Sequence, residues 1–350
     1  LHTTRCKTTN LSEQKRLETM TTKENESSSK SEEQPSFPKE FNGLPVEIDY
    51  DGAGRPFPSV IVDNKKFSLG IIKRMIPGGN IVEHVQTIRN IFARDDDVLI
   101  CTYPKSGTHW IWEIVSMLRK GKAEYDTKIK ETAMLEFLSK DQLEALESPR
   151  ILNTHFPLRM LPKDLLEKKR KIIHVQRNPK DVAVSMYHHF KSMRSEVGST
   201  YSGTFSEYLS LFFSLEGVAK DGWKTYVRDF EKFAKDNPDY PILTLYFEDM
   251  KQDQKREITK VAKILDVPYS EELITAVAER CEFENLKKAN DEIKDDYITR
   301  NLAHDGKQFM YRKGTVGDWK NWFTVAQNEL FDETFERWMS GSELKFKFVL

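Results

Sequence analysis

Apolar and polar positions along the 350 residues change period in a way that predicts strands alternating with helices. Residues 98–103 form an unbroken apolar, β-prone run, preceded by Asp95, Asp96 and Asp97 and broken at Pro104. Residues 151–155, 171–176 and 241–247 are similar runs, each with the length and composition of a buried strand. Between them the period lengthens. Trp110, Ile111, Ile114, Val115 and Leu118 make a one-sided helical stripe starting at Thr108, and Ile81, Val85, Ile88 and Phe92 make another. Val182, Met186 and Phe190 make a third, which leaves Ser185 on a different face. Capping signals agree with these boundaries. Asn178 precedes Pro179, Ser270 precedes Glu271 and Glu272, and Thr324 with Gln327 spells a capping box. Prolines 35, 38, 45, 56 and 58 punctuate an entry segment in which residues 57–62 predict a short edge strand. The alternation predicts an α/β fold: a single domain with a mainly parallel central sheet flanked by helices.

Composition narrows the setting. Residues 1–44 are rich in Ser, Thr, Glu and Lys without apolar periodicity, which predicts a disordered polar tail ahead of one domain over 45–350. Met20 reads as an alternative first residue. The tail lacks the apolar stretch of a signal peptide, and no apolar run is long enough to span a bilayer. A net charge of −1 leaves no overall field for nucleic acid or an anionic membrane, so any anion site has to be local. Three cysteines (Cys6, Cys101 and Cys281) have no paired spacing. This disfavours disulfides and a zinc site, fits a reducing compartment, and accompanies no other metal-ligand cluster.

The candidate chemistry sits where strands end. After the 98–103 run, Pro104, Lys105, Ser106 and Gly107 turn the chain into the helix at Thr108. A strand, tight turn and helix in that order aim backbone N–H groups and a helix dipole at one point. Lys105 adds a charge, and Ser106 and Thr108 add hydroxyls, which predicts a phosphate-binding loop. Its single glycine and its lysine ahead of that glycine are not the Walker arrangement. His155 ends the next strand, at the sheet edge where ligands of parallel sheets bind, and can serve as a general base near neutral pH. Read alone, it could equally cap the strand. Arg177 ends the third strand with a planar fork suited to phosphate, and Ser185 offers a hydroxyl in the following helix. Further on, Arg312, Lys313 and Gly314, with Gly317, form a glycine-flexed cationic loop able to close over a phosphate.

Tyr103-Pro-Lys-Ser-Gly-Thr108-His-Trp110 resembles the 5′-phosphosulfate-binding loop of the cytosolic sulfotransferases, and three further stretches resemble the same family in the same order. These are Thr154-His155-x-Pro157, Arg177-Asn-x-Lys-Asp-x-x-x-Ser185, and Arg312-Lys-Gly-x-x-Gly-Asp-Trp-Lys-x-x-Phe-Thr324. The resemblance implies a P-loop-like, nucleotide-kinase-like fold and sulfuryl transfer from 3′-phosphoadenosine 5′-phosphosulfate (PAPS) to a hydroxyl or amine of a small molecule. The product is 3′-phosphoadenosine 5′-phosphate (PAP), and no metal takes part. His155 is implied as general base, with Lys105 and Ser185 also catalytic. Lys105, Ser106, Gly107, Thr108, His109 and Trp110 are implied at the 5′-phosphate and adenine. Arg177, Ser185, Arg312, Lys313 and Gly314 would hold the 3′-phosphate, and Phe283 the adenine. Asn153 and Phe156 are implied on the acceptor side, with loops near residues 80–92, 133–147, 191–204 and 295–309 shaping that pocket. Lys320, Thr324, Val325 and Glu329 resemble the family's dimerisation motif, which implies a homodimer, and the family implies a cytoplasmic protein. The chain departs from the pattern at several points. His109 stands for a threonine, Lys224 for an adenine-contacting tyrosine, and Glu282 for a serine. Asn153 stands where phenol-sulfating members carry lysine, which leans toward aliphatic or steroid-like alcohols. A phosphotransferase and a non-catalytic nucleotide-binding protein are the alternatives.

Overall fold

In a computed structural model of the protein, residues 37–194, 201–215, 222–294 and 296–350 are described; the predicted tail lies outside them up to residue 36. The two-residue strands β1 (Glu40–Phe41) and β2 (Leu44–Pro45) pair antiparallel across the expected boundary at residue 44. Strands β3 (Glu47–Tyr50), β4 (Pro56–Val62) and β5 (Lys65–Ser68) then form an antiparallel meander. The 57–62 segment is therefore its central strand rather than an edge. Pro56 and Pro58 fit there at the start of the strand.

The second sheet positions the chemistry. It holds β6 (Val98–Thr102), β7 (Ile151–Thr154), β8 (Lys171–Gln176) and β9 (Ile242–Tyr246), all parallel, in the order β7-β6-β8-β9. The chain goes from β6 to β7 on one side and then returns to β8 on the other. The carboxyl ends of these strands flank the switch in direction, where α/β sheets bind ligands. Every residue of β6 is buried. Leu99 and Cys101 join the core on one face of the sheet, and Val98 and Ile100 the core on the other. That two-sided burial explains the continuous apolar run. Beneath the opposite edge, Arg150 donates from Nε and Nη2 to the two oxygens of Asp97 (2.7 and 2.5 Å), which ties the starts of β6 and β7 together.

Helices cover both faces: α1 (Leu69–Met75), α2 (Ile81–Arg89), α3 (Thr108–Lys120), α4 (Pro179–Ser192), α5 (Phe205–Leu215), α6 (Trp223–Asp236), α7 (Gln254–Leu265), α8 (Glu271–Arg280), α9 (Phe283–Glu292) and α10 (Val325–Trp338). Predicted caps form. Asn178 accepts from Asp181 N, Ser270 from Leu273 N, and Thr324 and Gln327 make both bonds of the capping box. Two stripe readings need correction. Helix α3 is buried nearly all round, Trp112 and Met117 included, because α7 and α8 pack on it as well as the sheet. Helix α2 stops at Arg89, and Phe92 beyond it is 74% exposed.

One polar group in the core has a measurable consequence. His174 in β8 is fully buried and stacked on Phe230 at 4.0 Å, with neither ring nitrogen partnered among the described residues. Burial lowers its pKa to about 3. The unfolded chain therefore binds a proton near pH 6.5 that the folded protein does not, and stability falls as pH drops below that value. His174→Leu is expected to be more stable than the wild type at pH 5, with the advantage shrinking above pH 7. Thermal melts across that range check this.

Candidate active site

Residues from the ends of β6, β7 and β8 and from the 310–315 loop line one cavity of about 740 Å³. Lys105, Gly107, Thr108, His109 and Trp110 contribute from the β6–α3 loop, and His155 and Phe156 from beyond β7. Arg177 and Ser185 come from β8–α4, Phe283 from the start of α9, and Arg312, Lys313 and Gly314 from the late loop. Two predicted residues are not brought to it. The Ser106 side chain is fully buried away from the cavity lining, its hydroxyl unpartnered among the described residues. Asn153 is fully buried behind the wall, where Nδ2 donates to the Lys130 carbonyl (2.7 Å).

The β6–α3 loop holds Lys105 at φ 68° and Gly107 at φ 104°. A lysine in the left-handed region is an unfavoured conformation, and it is held by its surroundings. Arg177 Nη1 donates to the Lys105 carbonyl (3.1 Å), and the Ser106 N–H donates to Tyr103 O (3.2 Å). The Lys105 ammonium reaches His189 Nδ1 (3.4 Å) and Met310 Sδ (3.7 Å). Burial, then the charges of Lys130 and Arg177, bring its pKa down to about 7. A lysine pushed down by neighbouring cations sits in a field built for an anion.

His155 has a defined tautomer. A carbonyl only accepts, so Nδ1, 2.8 Å from Thr102 O, carries the proton and Nε2 keeps its lone pair. Burial and the Lys130 charge hold its pKa near 3, so the ring is neutral. Its backbone N–H donates to Glu136 (2.6 Å). Thr102 Oγ1 lies 2.7 Å from Thr108 Oγ1, which ties the end of β6 to the first turn of α3.

The late loop is latched by Asp181. This carboxylate, on α4, accepts from Gly317 N (2.8 Å), Trp319 N (3.1 Å) and Asn178 Nδ2 (2.9 Å). Arg312 and Lys313 each donate to Asp318 (2.6 Å), and Arg177 Nη2 donates to Thr315 O (3.0 Å). Gly314 has φ 63°, and a Cβ there would lie 2.2 Å from the Phe283 ring. That approach explains the glycine. Lys180 is packed against Trp319, Phe331 and Phe348 and hydrogen-bonded to Asn328, so Lys180 and Asp181 hold the loop from outside the cavity.

On the acceptor side the structure corrects one expectation. Residues 80–92 do not line the cavity: Ile81, Val85 and Ile88 are core, and residues from 65 to 76 make that wall. Met134 and Phe137, Met193 and Leu302 contribute from the three other predicted loops, which are described except for 195–200 and 295. Lys130, Glu131 and His189 are lining residues that sequence reasoning missed. Lys130 and Glu131 fall in a short turn without periodicity, just ahead of a predicted pocket loop. Glu282 lines the cavity and Lys224 does not, whereas Trp223 Nε1 donates to Arg177 O (3.0 Å).

A cavity at the switch point of a parallel sheet, walled by a phosphate loop, a neutral histidine and further cations that include Lys130, Arg177, Arg312 and Lys313, defines a group-transfer site for an anionic donor. The "Sulfotransferase domain" family model matches residues 95–343, and the chain belongs to that family. Sulfotransferase 1B1 of the dog (Canis lupus familiaris) is 38% identical over 273 residues, 75% of this chain and 90% of that protein. Sulfotransferase 1A1 of cattle (Bos taurus) is 35% identical, covering 77% and 92%. A crystal structure of mouse sulfotransferase SULT7A1 complexed with PAP superposes with a TM-score of 0.62 at 28% identity, covering 81% of this chain and 96% of that one.

The Asp181 latch can be tested without a ligand. Asp181→Ala leaves two loop N–H groups without their acceptor and removes one of the two acceptors of Asn178 Nδ2, at a cost of about 2–3 kcal/mol. The expected result is a lower Tm and faster proteolysis between residues 312 and 319, read by limited digestion and mass spectrometry.

Proposed function

We propose that the protein transfers a sulfuryl group from PAPS to a hydroxyl or amine of a small-molecule acceptor, with His155 as general base. The observation that carries this reading is the Nε2 lone pair of a neutral His155 in the same cavity as Lys105 and the phosphate loop. The relatives named above are sulfotransferases, and the mouse structure binds PAP, the product of this donor.

In this mechanism the Thr102 carbonyl orients His155, whose Nε2 takes the acceptor proton as the acceptor oxygen attacks sulfur in line. Lys105, with Thr108 and the loop amides, stabilises charge on the bridging oxygen as the bond from sulfur breaks. Arg177, Ser185, Arg312, Lys313 and Gly314 hold the 3′-phosphate, which fixes the donor's direction. Trp110 and Phe283 take the adenine between them. Phosphates entering the cavity offset the Lys105 and Lys130 charges and raise the pKa of His155 toward the working range. Phe156, fully buried in the wall, shapes the acceptor pocket, and Asn153 acts through the Lys130 carbonyl it holds.

His155→Ala is expected to retain PAP affinity and lose transfer by about a hundredfold or more. Radiolabelled sulfate transfer to phenols, sterols, other alcohols and arylamines, beside calorimetric PAP binding, reads both. Transfer persisting in the variant would remove His155 from the mechanism. Binding without transfer in the wild type would favour a non-catalytic nucleotide protein.

The assembly proposed is a homodimer of domains spanning residues 45–350, through Lys320, Thr324, Val325 and Glu329. All four are exposed where α10 begins, and Val325 is 76% exposed. Val325→Glu is expected to shift light scattering from dimer mass to monomer mass without changing the fold. The compartment proposed is the cytoplasm, testable by cell fractionation; among the described residues no helix is long and apolar enough to cross a membrane.

A further inference from the structure

The turn Lys130–Ala133 is stitched to β7, the strand that leads into His155. Asn153 Nδ2 donates to Lys130 O (2.7 Å), and Leu135 N donates to Asn153 O (3.0 Å). The Lys130 backbone is thereby fixed beside the base. Its side chain is 5% exposed, and its ammonium lies 2.9 Å from Glu131 Oε1 and 3.5 Å from Met134 Sδ. An ammonium has three protons, so these two contacts leave one for a ligand. Glu131 Oε1 also takes His109 Nε2 (3.1 Å), and Glu131 Oε2 has no partner among the described residues. Burial works to raise the Glu131 pKa, but Lys130 and His109 outweigh it and keep the carboxyl ionised. A buried cation is thus anchored by an anion that is itself anchored on the phosphate loop.

Both residues line the cavity, and the Lys130 charge acts on Lys105, His109, Glu131, Glu136, His155 and His189. Arg177 and Arg312 also act on Lys105, and Lys65, from the wall made by residues 65 to 76, acts with Lys130 and Glu131 on His155. On the wall that carries the base, no catalytic task has yet been given to this charge. Burying an ammonium is costly unless something is gained from it.

We infer that Lys130 is a further catalytic residue, whose ammonium, lining the same cavity as His155, stabilises the negative charge that builds on the acceptor oxygen. The inference rests on the sulfuryl-transfer reading above. His155 Nε2 receives the acceptor proton, the acceptor O–S bond forms, and the bond from sulfur to the bridging oxygen breaks with its electron pair on the departing bisphosphate. Lys130 gives and takes no proton in that balance. It lowers the energy of a charge that exists only as the proton leaves. Glu131 positions it, and His109 positions Glu131, so the acceptor-side cation is braced from the donor loop.

The dependence on acceptor acidity separates this role from packing. A neutral aliphatic alcohol acquires its charge on the way to the transition state, so Lys130 acts on kcat. A nitrophenol already ionised at pH 8 carries the charge when it binds, so Lys130 acts on KM.

The test compares wild type with Lys130→Met, Lys130→Gln and Lys130→Arg, by PAP calorimetry and steady-state transfer to both acceptors. Expected in Met and Gln are unchanged PAP affinity, kcat lower by about a hundredfold for the alcohol, and a raised KM for the nitrophenol. The acidic limb of the pH profile should move up, because His155 loses a neighbouring cation, and Arg should recover much of the rate. Gln keeps a donor for Glu131, which guards against loss of the fold. Unchanged kcat in Met and Gln would overturn the inference while leaving sulfuryl transfer standing. PAP affinity lost with kcat would assign the charge to the donor and overturn it as well. A wild type that transfers to no acceptor would overturn both readings.

Discussion

The Arg177 guanidinium joins parts of the chain that lie far apart in sequence. It donates to Lys105 O, 72 residues earlier, and to Thr315 O, 138 residues later, while lying 4.1 Å over the Phe247 ring. The phosphate loop and the late cationic loop therefore meet across a single side chain, and Trp223 clamps its carbonyl from below. A planar fork with several donors can do this; a lysine ammonium lacks that fixed geometry. Around it, Asn178 passes contacts to Glu248, in the short helix that follows β9, and to Asp181 on α4. The cavity is thus closed by bonds that begin at the end of β8, and the parallel order of the sheet puts that end beside the ends of β6 and β7.

The charge pattern divides the cavity into zones. Arg312 and Lys313 are held by Asp318, whose carboxyl stays well below the usual range because those bonds outweigh its burial. Lys105 has no carboxylate within bonding distance among the described residues and is the group whose pKa has fallen to about 7. Cations that are already compensated cost little to keep ready. The one left against a neutral histidine and a thioether gains most when an anion arrives. Under the proposed reaction, that difference would make Lys105 the sensitive contact of the phosphate loop, and Arg312 and Lys313 a preset clamp.

Much of this was legible in the sequence where one local rule sufficed. The strand runs, the caps at Asn178, Ser270 and Thr324, and the strand–turn–helix at Lys105 depend on neighbours along the chain, and all appear. The errors came where tertiary partners decide. Phe57 to Val62 became a central strand because Glu47–Tyr50 and Lys65–Ser68 supply partners on both sides. Helix α3 lost its polar face because helices pack where solvent was expected. Ser106 and Asn153 sit in stretches that match a motif, but strand alternation and the tight turn direct their side chains into the protein rather than toward the cavity. Lys130 and Glu131 gave no periodic signal at all. Their importance comes from Asn153, which pins their turn to a strand 23 residues away.

That pinning changes what Asn153 means. Taken along the chain, the family resemblance puts it where a lysine would charge the strand that ends at His155, the proposed base. Taken in space, its amide holds the turn that brings another cation to the same wall. Charge near the acceptor oxygen is then supplied by a side chain anchored through Glu131 and His109, two residues that stand outside the strand. Such a charge depends on the phosphate loop staying in place, because His109 is the second residue of α3. Disturbing the donor loop should loosen the acceptor wall too, so the two halves of the cavity act as one structure rather than as adjoining sites.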